Sequence, residues 1–182
     1  EEGLAAARKL LLAGGPAAVT LANVGAEIGM SHANVLHHFG SAAGLQSALM
    51  GSMINDLTSA LDDVVTHLKT EAAAPRSIPD RVFDAFDKGG AGALAAWIVL
   101  SGEVGHLEPV RDAVRELVEA IAAQSDDPGT EERVRGAVLM MAVCAFGDAV
   151  TGPHVRDMLG EPDDAMRALV ARMLPMFLAP PA

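Results

Sequence analysis

Tyrosine is absent from this 182-residue chain, and Phe and Trp number only five and one. Ala, Leu, Val and Met are left to fill the interior, which favours helices over sheets. Cysteine occurs once, as Cys144, so no intrachain disulfide can form, in keeping with a reducing compartment. The longest apolar run, Gly136 to Gly147, falls short of the roughly 20 residues a membrane span needs. No signal-peptide pattern, repeat or alternating strand pattern is found, and no membrane partner is expected. The sequence starts at Glu1 rather than Met, which leaves room for upstream residues.

Positive charge is scarce as well. Thirteen Lys and Arg face 24 Asp and Glu, a net charge of −11. A uniformly acidic protein is a poor partner for nucleic acid or an anionic membrane. The deficit is uneven, however. Residues 1–50 hold Arg8 and Lys9 against Glu1, Glu2 and Glu27, a balance of −1, which leaves −10 to the rest.

What is present is hydrophobic periodicity at helical spacing. Half the residues are hydrophobic, enough for a sizeable core. Residues 2–13 form a first helix, stopped by Gly14-Gly15-Pro16. Thr20 is a good N-cap for a second, in which Leu21, Val24 and Ile28 share a face up to Gly29. Ser31 caps a third over 32–38, with Val35 and Phe39 inward, before Gly40-Ser41. A long fourth helix, 42–69, carries a stripe from Leu45 to Leu68 and reaches about 40 Å, enough to tie two modules together. After a linker at 72–79 come helices at 79–88, 91–101 and 109–124. The second of these is apolar all round and is expected to be buried. Thr130 is expected to cap a helix over 131–151, ended by Gly152-Pro153, and a last helix runs from 162 to 178.

Two short capped helices joined by a tight Gly turn match a helix-turn-helix. The longer pattern is more specific: Thr20-Leu21-x-x-Val24-x-x-x-Ile28-Gly29-Met30-Ser31-x-Ala33-x-Val35-x-x-His38-Phe39-x-Ser41-x-x-x-Leu45. It resembles the TetR family of bacterial transcriptional regulators over about residues 3–50, and the order of the remaining helices is similar too. The resemblance implies an all-α fold: an N-terminal three-helix DNA-binding module (1–50) joined by helix four to a C-terminal helical bundle (51–182). That bundle would bind a ligand and dimerise.

The resemblance also implies residue roles. Thr20 and Ser31 sit where helices are capped and phosphates reached. His32, Ala33 and Asn34 head the recognition helix, and Leu36 and His37 face the duplex. Leu36 stands where the family usually has Tyr, and Ala42 where it commonly has Lys, so two phosphate contacts are missing. Gly25 replaces a usual Ala, at an expected cost of about 1 kcal/mol in a helix interior. Asn34 can still pair with adenine, and histidines can donate to phosphates or guanine. Arg8, Lys9 and helix N-termini are left as phosphate anchors. Of His37 and His38, one is expected against the core and the other in solvent.

Within the bundle, Phe83, Phe86, Trp97, Met140, Met141, Cys144 and Phe146 are candidates to line an effector cavity between the fifth, sixth and eighth helices, with His106 and Asp148 as polar contacts. Each taken singly is better read as ordinary core; the collective assignment follows from the resemblance. Asp148 in an apolar helix needs a partner, whether a ligand, Arg156 or a helix end. Glu103-x-x-His106 has the spacing of half a di-iron site, but no second half is present. His67 and Glu71 read as a surface pair. No metal or cofactor is expected, and no paired acid and base supports an enzyme.

The resulting expectation is a cytoplasmic homodimer, paired through helices 131–151 and 162–178. It would act as a repressor released from a palindromic double-stranded operator by a small, largely apolar effector. The alternative is a small-molecule-binding or interaction protein of the same fold with weak or lost DNA binding.

Overall fold

A computed structural model describes residues 1–67, 77–102 and 108–179, and no strand occurs among them. The helices are α1 (Glu2–Gly14), α2 (Leu21–Ile28), α3 (His32–Phe39), α4 (Ala42–His67), α5 (Ser77–Phe86), α6 (Ala91–Ser101), α7 (Glu108–Ala122), α8 (Thr130–Leu159) and α9 (Ala165–Leu178). A single 3₁₀ turn, Pro16–Ala18, links α1 to α2.

Local chemistry sets the first three boundaries. Thr20 Oγ1 accepts from the Asn23 amide at 3.1 Å, and Ser31 Oγ from the Asn34 amide at 3.3 Å. Each satisfies one of the orphan donors of a helix start. Gly29 closes α2 at φ 70°, a left-handed conformation that costs glycine little. The Met30 amide then reaches back to the Gly25 carbonyl at 2.8 Å. This tight turn corrects the cost expected for Gly25. A Cβ there would lie 2.6 Å from the Met30 carbonyl oxygen. The glycine is a condition of the turn rather than a weakness in the helix.

Two cores run through the chain. In the first, Ala7 and Leu11 of α1, Val24 of α2, Val35 of α3 and Leu45 to Ile54 of α4 pack with Ala91, Leu94 and Ile98 of α6 and Ala113 of α7. The second joins Leu61 of α4, Val82 and Phe83 of α5, Ala137, Met141 and Ala145 of α8, and Val170 and Leu174 of α9. Helix α4 enters both. The N-terminal helices therefore do not close a core of their own but share one with α6 and α7. Gln46 is buried among these residues, donating to the Val19 carbonyl at 3.3 Å.

Several expectations need correction. Helix α8 does not stop at Gly152-Pro153 but continues to Leu159, and Gly160 caps it at φ 68°. Proline removes one backbone bond and crowds the preceding turn. Across that turn Arg156 reaches back to pair with Asp148, two turns away on the same face. Gly152 lies between them, and a Cβ there would sit 2.7 Å from Arg156 Nη1. Thr130 is the first residue of α8 rather than its cap, its hydroxyl bonded to Ser125 and Arg133. Helix α6 is apolar all round yet only half covered: Ala91, Leu94 and Ile98 are buried, while Trp97, Val99 and Leu100 are exposed. Helix α5 starts two residues earlier than expected, with Pro79 buried in its first turn.

Candidate nucleic-acid interface

Helix α3 is anchored by one residue and presents the rest outward. Val35 is 2% exposed in the first core, and Phe39 is half-buried, its ring edge close to Gly3. Ser31, His32, Ala33, Asn34, Leu36, His37 and His38 are all exposed. At about 100° per residue, Ala33 and His37 lie nearly opposite Val35, with Asn34 and Leu36 flanking them. His37 and His38 are both exposed, contrary to the division expected. The His38 ring stands edge-on to Phe39, centroids 4.6 Å apart. The length of α3 allows two turns, too few to bury a second face.

Three helix N-termini in this module carry hydroxyl caps. Thr20 precedes α2, Ser31 precedes α3, and Ser41 Oγ accepts from the Gly44 amide at 2.9 Å at the start of α4, beside exposed Ala42. Amide groups and dipoles there favour anions. Each cap hydroxyl accepts one amide, and its own O–H remains a donor.

The basic residues are elsewhere engaged. Arg8 pairs with Asp56 of α4 at 2.5 Å, and Lys9 pairs with Glu27 of α2. From Leu10 to Leu68 the sequence has no Lys or Arg. These two ion pairs are exposed and individually weak. Moving either cation onto a phosphate nonetheless exchanges one anion for another.

The residues proposed to line an effector site are brought together in part. Phe83 and Met141 are buried in the second core, with Phe86, Met140 and Cys144 packed against it. Trp97 is exposed on α6, and Phe146 is half-buried on α8. His106 and Glu103 lie outside the described residues, as does Glu71. Cys144 and Asp148 do meet at a cavity of about 530 Å³ between α8 and α9, lined also by Val143, Met166, Leu169 and Arg172. Burial pushes the Cys144 thiol up, and the charge of Asp148 adds to this, so the sulfur is held as an unreactive thiol.

Sequence reasoning found Asp148 but missed the seam it belongs to. Asp148 and Arg156 are largely buried, and Arg167 of α9 pairs with Asp84 of α5 at 2.5 Å while lying over the Phe83 ring. Burial raises the Asp148 carboxyl above its ordinary range, with Arg156 and Arg167 pulling the other way. The Arg167 hydrogen bond holds Asp84 below it, against desolvation. The spacing of Asp148, Gly152 and Arg156 by fours was the available signal; nothing in sequence joins Asp84 to Arg167. Among the described residues no group of three or more His, Cys, Asp or Glu could hold a metal ion.

No curated protein matches the chain. Residues 4–49 match the family model of bacterial regulatory proteins, tetR family. That match spans α1 to the first two turns of α4, the segment that builds the α3 face. Over this segment the chain is similar to the bacterial regulatory proteins of the tetR family.

Proposed function

We propose that the chain represses transcription by binding a palindromic operator as a homodimer, and that a small, largely apolar effector releases it. The observation that carries DNA recognition is the outward face of α3, with Ala33, Asn34, Leu36 and His37 free of the core. A helix exposed on this face fits the major groove, and Asn34 has the geometry to read adenine. Thr20, Ser31, His32 and Ala42 are assigned to the backbone on either side.

The two stripes of α8 support the dimer. Ala137, Met141 and Ala145 face the second core, while Leu139, Val143 and Val150 are exposed. On α9, Leu169, Met173 and Met176 form a matching exposed stripe beside buried Val170 and Leu174. By length and composition α8 could cross a membrane. A second copy of the same two helices explains the exposed stripe better, because the opposite side of α8 is occupied by its own bundle.

The effector is assigned to the α8–α9 cavity, where Cys144 and Asp148 sit among apolar residues and which borders the dimer stripe at Val143 and Leu169. The shared core of α1, α4 and α6 offers the route by which binding in the bundle moves α3. Selection of bound duplexes from a random pool tests the reading. Enrichment of an inverted repeat is expected, and recovery of no preferred sequence would leave the interaction protein of the same fold in its place. A compound that binds without changing affinity for the recovered duplex would remove the effector from the proposal.

A further inference from the structure

We infer that DNA binding by this chain is coupled to proton uptake, because histidines take the place of lysine and arginine on the recognition surface. This rests on the proposed DNA-binding reading and adds how the module holds phosphate.

Three observations converge. Between Lys9 and Lys69 the sequence has neither Lys nor Arg, so α2, α3 and the described part of α4 carry no permanent cation. The two basic residues of α1 are paired with Asp56 and Glu27. On α3, His32, His37 and His38 are all exposed. His37 points away from the core, and His32 stands in the first turn beside the Ser31 cap. Imidazoles are thus the side chains on this face able to become positive.

An isolated histidine titrates near pH 6.5, so a neutral solution holds it mostly uncharged. A nearby phosphate favours the charged form. Binding therefore draws a proton onto each histidine that meets the duplex. The charged groups on elements packed against α3 are few. Glu27 lies on α2, already bonded to Lys9; Glu1 and Glu2 adjoin Gly3, which touches the Phe39 ring. On α4 the first charged residue is Asp56, bonded to Arg8. No carboxylate stands on α3 itself, so the phosphates are the anions that the outward histidines meet.

The sign follows directly. If only the protonated form grips phosphate, affinity falls as rising pH removes those protons. Between pH 6 and 8 the loss is up to about 25-fold for each histidine involved. Each imidazolium also releases counterions, adding about 0.9 to the salt slope at pH 6 that is absent at pH 8.

The test uses the full chain and random-sequence duplex DNA, titrated by fluorescence anisotropy at pH 6, 7 and 8 over a salt series. The expected result is at least tenfold tighter binding at pH 6 than at pH 8, with a steeper salt slope. Combined His32→Gln, His37→Gln and His38→Gln should flatten the pH dependence, whereas His154→Gln, on exposed α8 surface, should leave it intact. His37→Lys should bind more tightly than the parent at pH 8 and depend less on pH, which excludes loss of fold as the cause. Affinity that is flat between pH 6 and 8, or a pH dependence that survives the triple substitution, overturns the inference and leaves the regulator reading standing. Absence of binding at every pH and of any enriched sequence overturns both.

Discussion

Replacing Gly25 by Ala distinguishes a local from a tertiary account of the same residue. Helix propensity alone favours Ala over Gly by about 1 kcal/mol in a helix interior. The structure reverses the sign. The new Cβ would stand 2.6 Å from the Met30 carbonyl oxygen, well inside ordinary contact, and 3.4 Å from Val35 Cγ2. Neither neighbour is a free end: Met30 is backbone, and Val35 is the buried anchor of α3. Relief requires the α2–α3 turn to open, which strains the Met30 amide to Gly25 carbonyl bond of 2.8 Å. Overpacking costs about 1–3 kcal/mol and a weakened hydrogen bond about 1 kcal/mol. Set against the propensity gain, Gly25→Ala should destabilise by about 1–3 kcal/mol, or lower Tm by about 2–12 °C for a chain of this size. Gly136→Ala is the control, since its Cβ would meet Phe177 at an ordinary 3.6 Å and propensity should act alone. Thermal unfolding followed by circular dichroism measures both. If Gly25→Ala stabilises as much as Gly136→Ala, the close approach is not a constraint and the argument fails.

Breaking the buried pair should be costlier. Arg156→Met leaves Asp148 buried without its partner and should destabilise by about 3–5 kcal/mol in urea unfolding, with much of this recovered when Asp148→Leu is added; an unchanged midpoint would mean the pair is not buried in solution. The two seam carboxylates should titrate with opposite sign. Asp148, raised by burial, binds its proton more readily folded than unfolded, so its contribution improves as pH falls through the raised value towards 3.8, and Asp148→Asn should abolish that gain. Asp84, lowered by Arg167, contributes above 3.8 and loses its contribution as pH falls through the lowered value; a pH series of melts on Asp84→Asn should lack that loss. Val143→Glu or Leu139→Glu, at positions 60% and 66% exposed, should yield monomer by light scattering while leaving helicity intact, and a persistent dimer would place the interface elsewhere.

The helix-turn-helix was legible because its determinants are local. Thr20, Ser31 and the glycines at 29 and 40 act within one or two turns, and Val24 and Val35 declare the inward face by spacing alone. The outward face of α3 followed from the same periodicity. Less of the bundle was readable. A proline inside a helix looks like a stop until a contact across it is seen, and Arg156 over Gly152 is such a contact. An apolar helix such as α6 declares that it wants cover, not which neighbours supply it.

The sequence by itself determined that the chain is helical, where its first three helices begin and end, and that its third helix carries imidazole instead of permanent charge. Those properties depend on backbone caps, side-chain period and residue type, all of which act at short range. Only the tertiary structure decided that Arg8 and Lys9 are already held by carboxylates, that Gly25 is required by the turn, that α6 closes the core of the N-terminal helices, and that Asp148 belongs to a seam with Arg156, Arg167 and Asp84. Each of these joins residues far apart in the chain or depends on gaps of a few tenths of an ångström, and neither is encoded in spacing along the chain.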